Sequence, residues 1–289
     1  MAKRKAFLHI GLGDGSGDFV DGALEKHGHA LAALGVRRPA KSADEMFRAT
    51  IEILRAHKDW GYKRSEVDGA WSGICRRAHK GKDTVVFSQP LLAAAAPDQI
   101  DLLLDSLAGF ELHVVVTVRA PDAWTVPGEP AQDLGPVLDR WSRAVRKPHR
   151  LHVIVDADAP GVTWKHLGRV VGFGTASLAV SPHAESRLAR APHPDPASRL
   201  TVLRTLGQSW VEQLAHSEYD VVGDVAALVP VTPKGDKHHM ALVSRADHAL
   251  SEALREVERL SRRNESLELR LDEIEKRRKK LKRRLSEVA

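Results

Sequence analysis

A single cysteine, Cys75, among 289 residues excludes an internal disulfide and a thiolate metal site, and fits a reducing compartment. No apolar run approaches the roughly 18 residues that a membrane helix requires. The opening Met1-Ala2-Lys3-Arg4-Lys5 is basic like the head of a signal peptide. The apolar stretch after it breaks within a few residues on glycines and aspartates, so no secretion signal is read. With 43% hydrophobic residues the chain is too apolar to be wholly disordered, and it is long enough to bury one sizeable core with an appendage. A cytoplasmic protein is expected.

Glycine and proline are missing from residues 245–289, which hold 14 basic and 10 acidic residues, a net +4 of the chain's total +6. Their apolar residues step alternately by three and four through Leu250, Ala253, Val257, Leu260, Asn264, Leu267, Leu271, Ile274, Arg278, Leu281, Leu285 and Val288. That pattern is a coiled-coil seam. At about 1.5 Å per residue it predicts a rod roughly 60 Å long, whose narrow apolar stripe needs a partner helix. Asn264 at an a position pairs best with the same amide of a parallel mate, so a parallel homodimer is expected. Lys276 to Arg284 has eight basic residues in nine. Such a run suits nucleic acid or an anionic lipid surface, but no aromatic residue is interleaved to stack on bases, and a solvated coiled-coil face is the preferred reading.

Ahead of this tail the chain alternates. Ala6–Leu12 reads as a strand running into the glycine-rich segment Gly11-Leu12-Gly13-Asp14-Gly15-Ser16-Gly17-Asp18. Asp18 stands where a helix N-cap belongs, and Phe19, Val20, Ala23, Leu24, Leu31 and Leu34 form one helical stripe closed by Gly35. Further helices are expected near 43–57, 97–107, 164–171 and 200–216. Val- and Ile-rich strands are expected at 84–88, 112–118 and 151–155. Continuous apolar strands are buried on both faces, which with the alternation predicts a parallel sheet carrying ligands at its C-terminal edge. The domains predicted are an α/β body over 1–230, a linker over 231–244 with Pro233 and Gly235, and the coiled coil over 245–289. Strand order is not readable.

The strongest candidate site is the segment Gly13, Asp14, Gly15, Ser16, Gly17 and Asp18, whose backbone N–H groups would face an anion at a helix start. It is neither a Walker A loop, lacking Gly-Lys-Ser/Thr, nor G-x-G-x-x-G, because Ser16 takes the last glycine's place. The other reading is a tight turn that binds nothing. Asp14, Ser16 and Asp18 also have calcium-loop spacing, but Phe19 replaces the glycine such a loop needs. No metal is expected: Asp156 and Asp158 read as turn caps, and His27/His29 and His238/His239 as surface histidines. Cys75 reads as a buried thiol.

His9-Ile10-Gly11-Leu12, the loop and helix after it, Val85-Val86-Phe87-Ser88-Gln89, and His113 to Asp122 with Arg119 together resemble the bacterial sulfotransferase family. Arg140-Trp141, Leu151 to Val155 and Trp164 extend the likeness over about the first 225 residues. The resemblance implies a three-layer, P-loop-like parallel fold and the cofactor 3′-phosphoadenosine 5′-phosphosulfate. It implies transfer of a sulfuryl group to a hydroxyl or amine, with Gly13 to Asp18 at the 5′-phosphate and Arg119 at the 3′-phosphate. Where the family has a loop lysine this chain has Asp14. The serine expected after Arg119 is replaced at Pro127-Gly128, with Thr125 the nearest hydroxyl, and Gln89 follows Ser88 where relatives often have an acid. A reversed charge about 4 Å from a phosphate is worth up to about 4 kcal/mol at an effective dielectric near 20. A helix N-terminus offsets only about 0.3 to 1 kcal/mol of that. Activity is therefore expected to be weak or lost, the alternative being a non-catalytic dimeric binding or scaffold protein on the same fold.

Overall fold

The computed structural model describes residues 3–12, 19–121, 125, 127–155, 160–180 and 197–230. The segments 13–18 and 156–159 and the whole proposed linker and coiled coil lie outside them. Among the described residues six strands form one sheet: β1 (Lys5–Gly11), β2 (Val36–Arg37), β3 (Thr84–Ser88), β4 (Glu111–Val118), β5 (Leu151–Val155) and β6 (Asp220–Val222). Their order is β2-β3-β1-β4-β5-β6 and every neighbouring pair is parallel. Phe7 lies opposite both Val86 and His113 in the register, which fixes which side chains share a face.

The helices in chain order are α1 (Phe19–Lys26), α2 (Gly28–Ala33), α3 (Ala43–Ile53), α4 (Arg64–Val67), α5 (Ala70–His79), α6 (Pro97–Asp105), α7 (Leu134–Trp141), α8 (Pro160–Val171) and α9 (Ala197–Ala215). Only the connection out of β1 runs toward the β2 edge across the sheet; those out of β3 and β4 run the other way. Because parallel crossovers are right-handed, reversing direction moves the helices to the opposite face. Accordingly α1 and α2 bring Val20, Leu24 and Leu31 onto Phe7, Val86 and Val115. From the other side α3, α5, α6 and α7 pack Met46, Ile74, Leu103 and Trp141 on Leu8, Val85 and Val116. Residues alternating along one strand thus feed two cores, which is why these strands read as unbroken apolar runs.

One expectation is corrected. The stripe from Phe19 to Leu34 is two helices, interrupted at His27, which has φ −98° and ψ 13° ahead of Gly28. Glycine is a poor helix former, which weakens a continuous helix at this point. Gly35 at φ +75° ends α2 as expected. Cys75 is buried in α5, and burial pushes its thiol up to about 12, so it stays a thiol. No helix among the described residues is long and apolar enough to cross a membrane.

Candidate functional site

At their C-terminal ends β1 and β4 lie side by side, yet β1 leads toward β2 and β4 toward β5. Neighbouring strands whose chains leave in opposite directions mark the switch point at which parallel α/β sheets commonly bind ligands. The two strands stay zipped to the rim, with the Leu12 N–H donating to the Thr117 carbonyl at 3.3 Å. The glycine-rich segment begins one residue later, and Arg119 is the first residue after β4, half-buried. Two of the elements that carry the predicted site are therefore adjacent at the switch point. Gly13 to Asp18 themselves lie outside the described residues, as does Asp122.

Beneath this rim runs a buried polar rung. His9 Nδ1 is 2.7 Å from Ser88 Oγ of β3, and His9 Nε2 is 3.1 Å from Thr117 Oγ1 of β4. His9 and Thr117 have no exposed surface and Ser88 has 1%. Burial holds the imidazole down at about 3, so it is neutral at ordinary pH. A serine hydrogen-bonded to a histidine is the beginning of a nucleophile and its base. Here a reacting atom cannot reach either one. The rung ties three central strands together instead.

The loop after β4 is held from several directions. Asp133 caps α7 and accepts from the Gly135 N–H at 3.2 Å and from Trp210 Nε1 of α9 at 2.8 Å; its other oxygen takes the Gly128 N–H at 2.9 Å. Gly128 sits at φ +79°, a conformation that favours glycine. This explains the departure noted there in sequence: Pro127-Gly128 makes a turn pinned to Asp133, and Thr125 is buried beside it. Arg140 of α7 donates to the carbonyls of Ala93 and Pro130 at 2.7 and 2.5 Å, joining the segments that follow β3 and β4, and burial lowers its proton affinity. Gln89 accepts the Leu91 N–H and starts the short 3-10 helix Pro90–Ala94.

These commitments decide what the edge can do chemically. Ser88 and His9 are sealed, Asp133 accepts from three donors, Arg140 holds carbonyls, and Gln89 has no useful basicity. Among the described residues no group of three His, Cys, Asp or Glu could hold a metal. Of the residues expected at 3′-phosphoadenosine 5′-phosphosulfate, Arg119 is described, a residue type that suits phosphate, and Gly13 to Asp18 are not.

The sequence reading did not single out His9, Asp133 or Trp210. The missed signal was a histidine inside an otherwise apolar strand, which must find polar partners across the sheet. No family model, curated protein or solved structure matches the chain.

Proposed function

We propose that this chain is a sulfotransferase-like, P-loop-like α/β protein in the cytoplasm whose sulfuryl transfer from 3′-phosphoadenosine 5′-phosphosulfate is weak or lost. The observation that carries the reading is the sealed His9–Ser88–Thr117 rung under the β1/β4 switch point. It removes His9 as an accessible base for the proton of an acceptor hydroxyl or amine, and Ser88 as a nucleophile. Arg119 beside the end of β1 supports residual affinity for a phosphate. Asp14 opposes it, because a carboxylate in a phosphate cradle repels its ligand.

The heptad over 250–288 favours a second reading, a dimeric binding or scaffold module in which the switch point serves no chemistry. Calorimetric titration with 3′-phosphoadenosine 5′-phosphate separates the two through variants. If the switch point is a weakened nucleotide site, Asp14→Lys tightens binding at least tenfold, about 1.4 kcal/mol, and Arg119→Ala abolishes it. No response to either variant would remove the nucleotide reading.

A further inference from the structure

A second row of polar groups lies far from the rim, along the starts of β4, β5 and β6. Glu111 Oε1 is 3.2 Å from His113 Nε2, His113 Nδ1 is 2.8 Å from His152 Nε2, and His152 Nδ1 is 2.7 Å from Asp220 Oδ2. The two ring planes are within 13° of each other, and Phe7 of β1 stacks on His113 at 4.6 Å. Both histidines are buried, and Asp220 at the sheet edge is half-exposed.

Each of the three contacts needs one proton between its heavy atoms. An ionised carboxylate only accepts, and each ring nitrogen is either a donor or an acceptor. Two neutral imidazoles bring two protons, one fewer than the row requires. The His9 rung escapes this count because serine and threonine hydroxyls both donate and accept. We propose that Glu111, His113, His152 and Asp220 form a proton-binding site that takes up one proton on acidification and thereby completes the hydrogen-bonded row that joins β4, β5 and β6.

The distances assign the protons. In the two short contacts His113 Nδ1 donates to His152 Nε2, and His152 Nδ1 donates to Asp220. The extra proton goes to His113 Nε2, across the longer contact to Glu111. Around the row, Glu111 and Asp220 favour uptake, while Lys5 of β1 and His149, just ahead of β5, oppose it. The His113 contact, together with Arg150, which holds the other Glu111 oxygen at 2.8 Å, keeps that carboxylate ionised. Burial sets the threshold, lowering His113 to about 4 and His152 below its ordinary value, so the row carries two protons at neutral pH.

Nitrogen-detected NMR of the imidazoles in the full chain, titrated from pH 8 downward until the chain unfolds in acid, tests this. A single uptake shared by the pair is expected, with His113 Nε2 changing from a lone-pair to a protonated nitrogen. In Asp220→Asn the new amide donates to His152 Nδ1, both rings reverse tautomer, and two protons satisfy the row. Its uptake midpoint should fall by at least about one pH unit, a tenfold loss of proton affinity. Two rings titrating separately at ordinary histidine midpoints would overturn the proposal. So would no protonation before acid unfolding, or an Asp220→Asn variant that titrates like the unmodified chain. If that variant fails to fold, the unmodified chain's titration decides.

Discussion

A histidine inside a strand that is buried on both faces has two ring nitrogens to satisfy, and at His9 two hydroxyls do it. Its folded-state value near 3 lies below the ordinary 6.5 of the unfolded chain, so acid is taken up preferentially by the unfolded state. His9 therefore contributes stability that is present above about pH 6.5 and is lost as pH falls toward 3. Between those limits the loss is about 1.4 kcal/mol per pH unit. In His9→Leu that contribution to the acid slope should vanish. Stability at pH 7 should drop by about 2 kcal/mol because Ser88 and Thr117 lose a buried partner. Urea denaturation of both proteins at pH 4.5 to 7 measures slope and offset, and parallel slopes would refute the assignment. In the sequence His9 was visible only as part of a family-like stretch, because the pairing with Ser88 and Thr117 depends on strand order. His113 and His152 escaped notice for the same reason.

Elements that carry their own signal were legible. The runs at 84–88, 112–118 and 151–155 are β-branched and long enough to read as strands, and they match β3, β4 and β5 within a residue. β2 and β6, with two and three residues, are too short to show a period, and α5 and α7 were overlooked. The docking of α1 was equally invisible, since it rests on Arg38 from the segment after β2. Arg38 Nε and Nη2 each donate to Asp21 at 2.7 Å, and the side chains are 5% and 13% exposed. Burial pushes Asp21 up while Arg38 pulls it down, so the carboxylate depends on its partner. Removing Asp21 leaves the buried Arg38 with the longer Glu25 contact at 3.6 Å, which compensates its charge poorly. Asp21→Ala should destabilise by about 3 kcal/mol, read as a lower denaturation midpoint at unchanged m-value. Replacing both, with Asp21→Leu and Arg38→Met, should recover most of that loss. A double variant as unstable as the single one would show that shape, rather than charge, holds α1.

For the whole molecule, the heptad of 250–288 needs a partner for its leucines. The full chain is therefore expected to be a dimer, and a chain ending at Ser244 a monomer, by light scattering; equal protomer numbers would contradict this. Strand order decided the site: 2-3-1-4-5-6 puts Arg119 next to the end of β1, and no local pattern encodes that neighbourhood. The proposal that a sulfotransferase-like site at the ends of β1 and β4 has lost most of its nucleotide affinity is tested most directly by calorimetry. Titrating the unmodified chain with 3′-phosphoadenosine 5′-phosphate at about 0.15 M salt leaves closely matched charges as the main source of attraction. The expected dissociation constant is weaker than about 100 μM. A value of about 1 μM or below, lost in Arg119→Ala, would contradict the account, because it would mean that Asp14 does not disable the phosphate site.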